Sequence, residues 1–181
     1  GVVCALFEAQ RSGQGQVVDA GMVDGVMSLA GVFYGMADSG MHTDELSSNL
    51  FDGGAPFYAI YETADGRYVS VAPIEPHFYA LLLEKIGLAG EELPAQYDRA
   101  RWPELKERFA AVFRTRTRDE WCDALEGTDA CFAPVLTFNE ARTYHHHAAT
   151  GVFTEPGGTE VIAVPRLSRT PGQAGESPRF I

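Results

Sequence analysis

Residues 68–79 read YVSVAPIEPHFY, and the hydrophobic period changes within this stretch. Residues 68–72 alternate as in a strand, whereas Phe78 begins a series of apolar residues at helical spacing. Glu75 therefore lies at a strand-to-helix corner. Pro76 suits the first helical position, where its missing N–H is not needed, and the free amides of that turn would support an ionised Glu75. We expect this carboxylate to be held and able to accept a proton.

Outward from this corner, the sequence predicts a small domain with both helices and strands. Residues 57–62 and 67–72 have β-type composition and flank Asp65-Gly66, a dipeptide that favours a hairpin turn. Further helices are predicted from Pro76, from Pro103 and after the capping-box pattern of residues 117–120, followed by a buried strand over residues 131–136.

The first third of the chain is predicted to be mainly helical. An opening helix should end near Arg11 and Gly13, followed by a short strand over residues 16–20. Residues 22–37 form a helical pattern that is apolar on nearly every side and is therefore predicted to be buried. Residues 40–56 show little periodicity and indicate a long loop.

The last part of the chain changes character. A second capping-box pattern at residues 137–140 predicts a short helix. Residues 152–154 and 160–164 are expected to pair as short strands. Residues 168–177 are poor in apolar side chains, so we expect an extended or disordered tail.

Composition excludes several classes of function. The 181 residues are 45% hydrophobic, enough for one domain with a core, and the formal net charge of −11 argues against a nucleic-acid surface. The longest nearly uncharged run, residues 25–37, is too short to span a membrane. Three cysteines without a C-x-x-C motif indicate neither a disulfide framework nor a zinc ribbon, so a reducing cytoplasm is the expected location.

The consecutive residues His145, His146 and His147 are the one apparent metal-binding cluster. Neighbouring helical residues point about 100° apart, so three adjacent histidines cannot easily converge on one ion. We therefore predict a solvated loop here and no metal site. Serine-hydrolase, zincin and P-loop motifs are absent from the sequence.

Three stretches in one order carry a family resemblance: DGGAPFY at residues 52–58, IEPHFY at 74–79 and DRARWP at 98–103. Together they resemble the C-terminal part of the α-methylacyl-CoA racemases, which belong to the family III CoA-transferase superfamily. The likeness extends from about residue 2 to residue 170. It implies an α+β fold, with the small α/β domain of that family joined to helical remnants of its large domain.

The resemblance also implies a division of the chain. Residues 1–56 would be a remnant of the large CoA-binding domain with its linker, residues 57–136 the small domain, and residues 137–181 a return segment and tail. The first residues resemble the middle of an apolar helix and lack a start methionine, so we expect a fragment of a longer protein. Family members are interlocked dimers, which implies homodimerisation or self-association through apolar faces.

For function, the resemblance implies 1,1-proton transfer at the α-carbon of a 2-methylacyl-CoA thioester, without a metal or redox cofactor. In similar enzymes a His and an Asp of the large domain move the protons, and a Glu of the small domain adjoins them. Glu75 matches that Glu, whereas the His and Asp would lie upstream of this chain. Tyr58 and Ile74 are expected near the substrate, with strand packing as the alternative for Tyr58. Met22 and Met36 fall in the region of a methionine-rich surface that accommodates acyl chains in the family, with core packing as the alternative.

Two other functions stay open. The chain could be a stand-alone, non-catalytic interaction module, which would bind itself or a partner and show no affinity for acyl-CoA. It could also be part of a family III CoA transferase. The transferase alternative is disfavoured because residues 73–77, PIEPH, occupy the place of that branch's glycine-rich loop. In either racemase or transferase, we expect the isolated chain to be inactive.

Overall fold

The computed structural model describes residues 1–155 and 157–173. The chain divides into two compact units, one spanning Gly1–Ala55 and the other beginning at Pro56. We call them the helical unit and the sheet unit. Residues 137–155 and 157–173 cluster with the sheet unit, while the three-part division drawn from the resemblance stays a prediction.

The helical unit contains three helices, α1 (Val2–Ser12), α2 (Met22–Leu29) and α3 (Gly31–Asp38). As predicted, α1 ends at a glycine: Gly13 adopts the left-handed conformation with φ 72°, and its N–H donates to the carbonyl of Ala9.

Three predictions for this unit were wrong. Residues 16–20 form no strand, because the unit offers no second strand with which they could pair. The helix predicted over residues 22–37 is broken at Ala30, where a tighter turn forms between the helices. Its predicted burial is also not observed, since α2 and α3 contain no buried residue and Met22 is 87% exposed. Three short helices provide no layer that could cover an all-apolar helix.

The predicted loop over residues 40–56 is confirmed, and it is ordered around one buried amide. Asn49 is 2% exposed, accepts the N–H of Thr43 at 2.8 Å and donates to Asp52 at 2.8 Å. Gly54 packs directly on this residue, because an added Cβ would lie 2.6 Å from the backbone nitrogen of Asn49. Only glycine fits at that position of the loop.

The sheet unit is built on three antiparallel strands in the order β1-β2-β3. They are β1 (Ala59–Glu62), β2 (Tyr68–Val71) and β3 (Phe132–Val135). The register pairs Ala59 with Val71 and Val71 with Phe132. The predicted hairpin and third strand are confirmed. The predicted burial of the third strand was wrong, because β3 lies at the edge of the sheet and its residues alternate between half-buried and exposed.

One face of this sheet forms the core. Helices pack on that face: α4 (Pro76–Lys85), α5 (Trp102–Phe113), which follows a short 3-10 helix, and α6 (Arg118–Leu125). The ring of Tyr61 stacks on Phe113 with centroids 5.0 Å apart, and Phe113 also contacts Trp121. The opposite face is exposed, as Ile60 shows at 60%. The predicted α+β class is confirmed.

Two short helices follow the sheet, α7 (Phe138–Thr143) and α8 (His145–Thr150). Both predicted capping boxes, at the starts of α6 and α7, are confirmed. The three histidines do not lie in a loop as predicted. They form the first turn of α8, which is stabilised by the following alanines and ends at the left-handed Gly151.

The remaining tail contains little regular structure. The predicted pairing of residues 152–154 with 160–164 is reduced to one bridge, between Phe153 and Val161. The predicted irregular tail, residues 168–177, has no helix or strand up to residue 173, and its last four residues lie outside the described part of the chain.

Arg118, at the start of α6, connects three elements of the sheet unit. Its side chain is 7% exposed; Nη1 donates to the carbonyl of Val135 at 3.0 Å and Nη2 to Oε1 of Glu140 at 2.6 Å. The Glu140 carboxylate also accepts the N–H of Thr137 in the capping box. The guanidinium therefore ties α6 to the end of β3 and to α7.

Two buried tyrosines provide a matched test of hydrogen bonding in the core. The hydroxyl of Tyr61 donates to the carbonyl of Pro56 at 2.6 Å, whereas the buried hydroxyl of Tyr79 finds no partner among the described residues. We expect Tyr61→Phe to lower the free energy of unfolding by about 1–3 kcal/mol, because a buried acceptor is left unpaired. Tyr79→Phe should be neutral or stabilising. Urea unfolding of both variants measures the difference, and equal losses would show that the bond to Pro56 adds no stability.

The ion pair at Glu140 predicts a specific acid sensitivity. Arg118, with the N–H of Thr137, lowers the pKa of Glu140 to about 2. Because this folded-state pKa lies below the unfolded value of about 4.3, the stabilisation is present above that value and is lost as the pH falls towards 2. We expect the urea midpoint of the Glu140→Gln variant to fall less steeply than that of the original chain over this range.

Glu120 supplies the matched control for this experiment. It holds the same capping-box position in α6, and its pKa is lowered mainly by the backbone and hydroxyl of Thr117, with a smaller contribution from the charge of Arg116. Glu120→Gln should therefore reduce the fall of the urea midpoint at acid pH less than Glu140→Gln does. An equal effect of the two substitutions would mean that Arg118 contributes nothing to the acid sensitivity.

Candidate functional site

The corner predicted from the sequence is present between β2 and α4. After β2 the chain makes a tight turn in which the N–H of Ile74 donates to the carbonyl of Ala72 at 2.9 Å. Glu75 follows with extended backbone geometry, φ −71° and ψ 139°, and Pro76 is the first residue of α4. Glu75 is exposed, so its carboxylate is accessible at the point where strand becomes helix.

The carboxylate is not held in the way we expected. Within α4, all of which is described, the Glu75 side chain makes no capping hydrogen bond to the amides of the first turn. Its backbone is held instead, because its carbonyl accepts the N–H of Tyr79 at 3.0 Å. The side chain therefore remains available for interactions outside its own helix.

Two residues of the connection between α4 and α5 bind the backbone just before Glu75. The Nε2 group of Gln96 donates to the carbonyls of Pro73 at 3.1 Å and Ile74 at 2.8 Å. The phenol of Tyr97 donates to the same Ile74 carbonyl at 2.6 Å. We call these two residues the carbonyl clamp. They fix the corner from a segment more than 20 positions away in the sequence.

The negative charge of Glu75 acts electrostatically on two neighbouring groups, the Tyr97 phenol and the Cys131 thiol. Burial, together with this charge, raises the pKa of the Tyr97 phenol. Burial also raises the pKa of the Cys131 thiol, with smaller contributions from Glu75 and Asp129. Both groups therefore stay protonated at neutral pH, so the phenol acts as a donor and the thiol is a poor nucleophile.

A buried aromatic cluster supports the clamp. The ring of Phe57 is fully buried and makes edge contacts with Tyr79 at 5.7 Å, Tyr97 at 5.4 Å and Trp102 at 5.8 Å between centroids. The indole N–H of Trp102 donates to the carbonyl of Gln96 at 2.9 Å. The three stretches that carried the sequence resemblance therefore meet around one phenylalanine.

The other predicted site residues divide between the two units. Tyr58 and Glu75 lie at the same end of the sheet, because the antiparallel register pairs the start of β1 with the end of β2. Tyr58 is half-buried, and Ile74 is half-buried beside Glu75. Met22 and Met36 belong to the helical unit, where Met22 begins α2 and Met36 is half-buried in α3. Their assigned roles stay predictions.

Comparison with known proteins identifies the family. The sequence profile described as CoA-transferase family III matches residues 1–179. The chain belongs to CoA-transferase family III. It is 48% identical over 175 residues to the α-methylacyl-CoA racemase of Mus musculus and 42% identical over 173 residues to that of Homo sapiens. Each match covers 94% of this chain, which spans about 45% of the length of these curated relatives.

Members of the family with other names are less similar. The succinyl-CoA–D-citramalate CoA-transferase of Chloroflexus aurantiacus is 30% identical over 183 residues, covering 95% of this chain and 45% of its own length. Among solved structures, the orthorhombic form of Rv3272 from M. tuberculosis matches with a TM-score of 0.68 at 18% identity. That match covers 94% of this chain and 46% of Rv3272 and supports the family fold.

No metal site or membrane span is found in the part of the chain that the structure describes. No three His, Cys, Asp or Glu residues in residues 1–155 and 157–173 are grouped as ligands for an ion. In the same ranges, no helix is long and apolar enough to cross a bilayer.

Sequence reasoning missed the carbonyl clamp and Cys131. Gln96 and Tyr97 lie in a polar connection without periodicity, so no local pattern indicates that their side chains bind a distant backbone. Cys131 precedes β3 and accepts the N–H of Ala72 through its backbone, which brings it to the Glu75 corner. Only the pairing of β2 with β3, a non-local feature, could have indicated this proximity.

The aromatic cluster predicts a large stability effect at Phe57. We expect Phe57→Ala to lower the free energy of unfolding by about 3–5 kcal/mol, because it removes a fully buried ring and its three aromatic contacts. Ile60→Ala, three positions away on the exposed sheet face, should stay within about 0.5 kcal/mol. Urea unfolding followed by tryptophan fluorescence compares the two variants. A similar cost at both positions would show that the cluster does not organise the sheet unit.

Proposed function

We propose that this chain is the part of an α-methylacyl-CoA racemase-like enzyme that supplies Glu75 to the active site. The reaction would be 1,1-proton transfer at the α-carbon of a 2-methylacyl-CoA thioester. The observation that carries the proposal is the Glu75 corner, fixed at its backbone and exposed at its carboxylate, in a chain 48% identical to the mouse racemase.

The chemistry explains why an exposed carboxylate on a fixed backbone is useful. Racemisation removes the α-proton of the thioester, passes through an enolate and returns a proton to the opposite face, so bonds and charge balance without an oxidant. Two acid/base groups must approach the α-carbon, and we assign them to the His and Asp that the family places outside this chain. Glu75 would adjoin them and complete the proton relay as a carboxylate that accepts and releases a proton.

Substrate and partner assignments follow from the same proposal. Acyl-CoA would bind with Tyr58 and Ile74 near the reacting centre, while Met22 and Met36 would contact the acyl chain. The exposed apolar faces of α2 and α3 would pack against another part of the enzyme or against a second subunit, as in a homodimer. Three free cysteines fit a reducing, cytoplasmic location.

The lower identity to CoA transferases favours proton transfer over CoA transfer. The transferase of C. aurantiacus is 30% identical, against 42–48% for the two racemases over similar lengths of this chain. A non-catalytic module would show no response to acyl-CoA. Calorimetric titration with a 2-methylacyl-CoA, using the chain alone and the chimera described next, separates this alternative from the enzyme.

The decisive experiment is a chimera in which this chain replaces the matching 45% of the mouse racemase. We expect the chimera to exchange the α-proton of a 2-methylacyl-CoA with deuterated solvent, and the isolated chain to show no exchange. Glu75→Gln should slow exchange by the chimera at least about 100-fold, since loss of one acid/base group typically costs that much. Glu84→Gln, an exposed glutamate on α4, should leave the rate unchanged.

Three results would contradict the proposal. Exchange by the isolated chain would show that no second polypeptide segment is needed. Full activity of the Glu75→Gln chimera would remove Glu75 from the site. If the chimera does not fold, co-expression of this chain with the remaining part of the mouse enzyme replaces it, and absence of exchange in both arrangements overturns the proposal.

A further inference from the structure

We propose that Gln96 and Tyr97, the carbonyl clamp, are positioning residues that set the direction in which the Glu75 side chain leaves the backbone. This inference rests on the proposed function and adds two residues to the same site. It starts from the three hydrogen bonds that converge on the carbonyls of Pro73 and Ile74. No sequence motif includes these donors.

The clamp acts on the peptide plane that precedes Glu75. The Ile74 carbonyl and the Glu75 nitrogen belong to one planar peptide group, so fixing that oxygen with two donors fixes the plane. The plane that follows Glu75 is held as well, because the Glu75 carbonyl accepts the N–H of Tyr79 at 3.0 Å. With both flanking planes held, the Cα–Cβ direction of Glu75 is set, and only its side-chain torsions stay free.

Buried aromatic residues contact both members of the clamp. The Gln96 carbonyl accepts the indole N–H of Trp102, and the Tyr97 ring packs against the buried ring of Phe57. The Ile74 carbonyl can only accept, and the Tyr97 phenol stays protonated at neutral pH and donates to it. The hydrogen bond from Tyr97 to Ile74 therefore persists at neutral pH, because neither group changes its protonation there.

Precise direction matters because proton transfer depends steeply on geometry. A displacement of about 1 Å at a reacting group can cost about 100-fold in rate. On an unclamped corner the backbone of Glu75 would move in addition to its side chain, and the range of carboxylate positions would widen. The clamp would thus contribute to the rate of turnover, while leaving the binding of the CoA thioester unchanged.

The test uses Tyr97→Phe in the mouse chimera, because this change keeps the ring against Phe57 and removes only the donor. We expect kcat to fall about 10-fold with KM unchanged, the pattern of an interaction that serves the transition state. Gln96→Leu should act in the same direction. Tyr68→Phe, on the exposed face of the sheet, is the matched control and should leave both constants unchanged.

A double-mutant cycle with Glu75→Gln distinguishes positioning from a merely structural role. If Tyr97 acts through Glu75, Tyr97→Phe loses its effect on kcat once Glu75 is replaced. An equal effect in both backgrounds, or no effect in either, overturns the positioning role while the proposed function stands. If Glu75→Gln itself leaves kcat unchanged, the proposed function fails and the positioning role fails with it.

Discussion

The sheet unit depends on the packing of one buried ring, that of Phe57. This ring is contacted by rings from α4, from the connection before α5 and from the first turn of α5, segments that together span more than 20 residues of sequence. A large aromatic side chain buries enough apolar surface to hold several segments together, and its edge contacts also fix their orientation. The position of the Glu75 corner depends on this packing, because Trp102 and Phe57 support the residues that bind the corner.

The packing around Phe57 stabilises the end of the sheet next to Glu75, and a separate set of contacts stabilises the opposite end, where Val135 pairs with Tyr68. The Arg118 network joins α6, β3 and α7 through paired charges, and all of these contacts stay within the fold. The carbonyl clamp, by contrast, ends at an exposed carboxylate. Backbone carbonyls can be held in this way without occupying the side chains of the same segment.

Local signals in the sequence predicted the elements that local chemistry determines. The Asp65-Gly66 turn, Pro76 at a helix start and the two capping boxes are each encoded within a few residues, and all are present. The predicted burial of residues 22–37 was wrong because apolar periodicity indicates that a surface needs cover without specifying what covers it. Gln96 and Tyr97 were missed for a related reason: a polar side chain that binds a distant carbonyl leaves no periodic trace.

Each unit has an exposed surface that is suited to contact with another polypeptide. In the helical unit, nonpolar side chains of α2 and α3 are exposed, an arrangement that favours association because contiguous apolar surface is costly in water. In the sheet unit, Glu75 is held at its backbone yet exposed at its carboxylate, an arrangement with little structural benefit for its own helix, which it does not cap. A carboxylate that stands on a fixed backbone and does not cap its own helix fits the proposed role beside a reacting centre formed with another polypeptide.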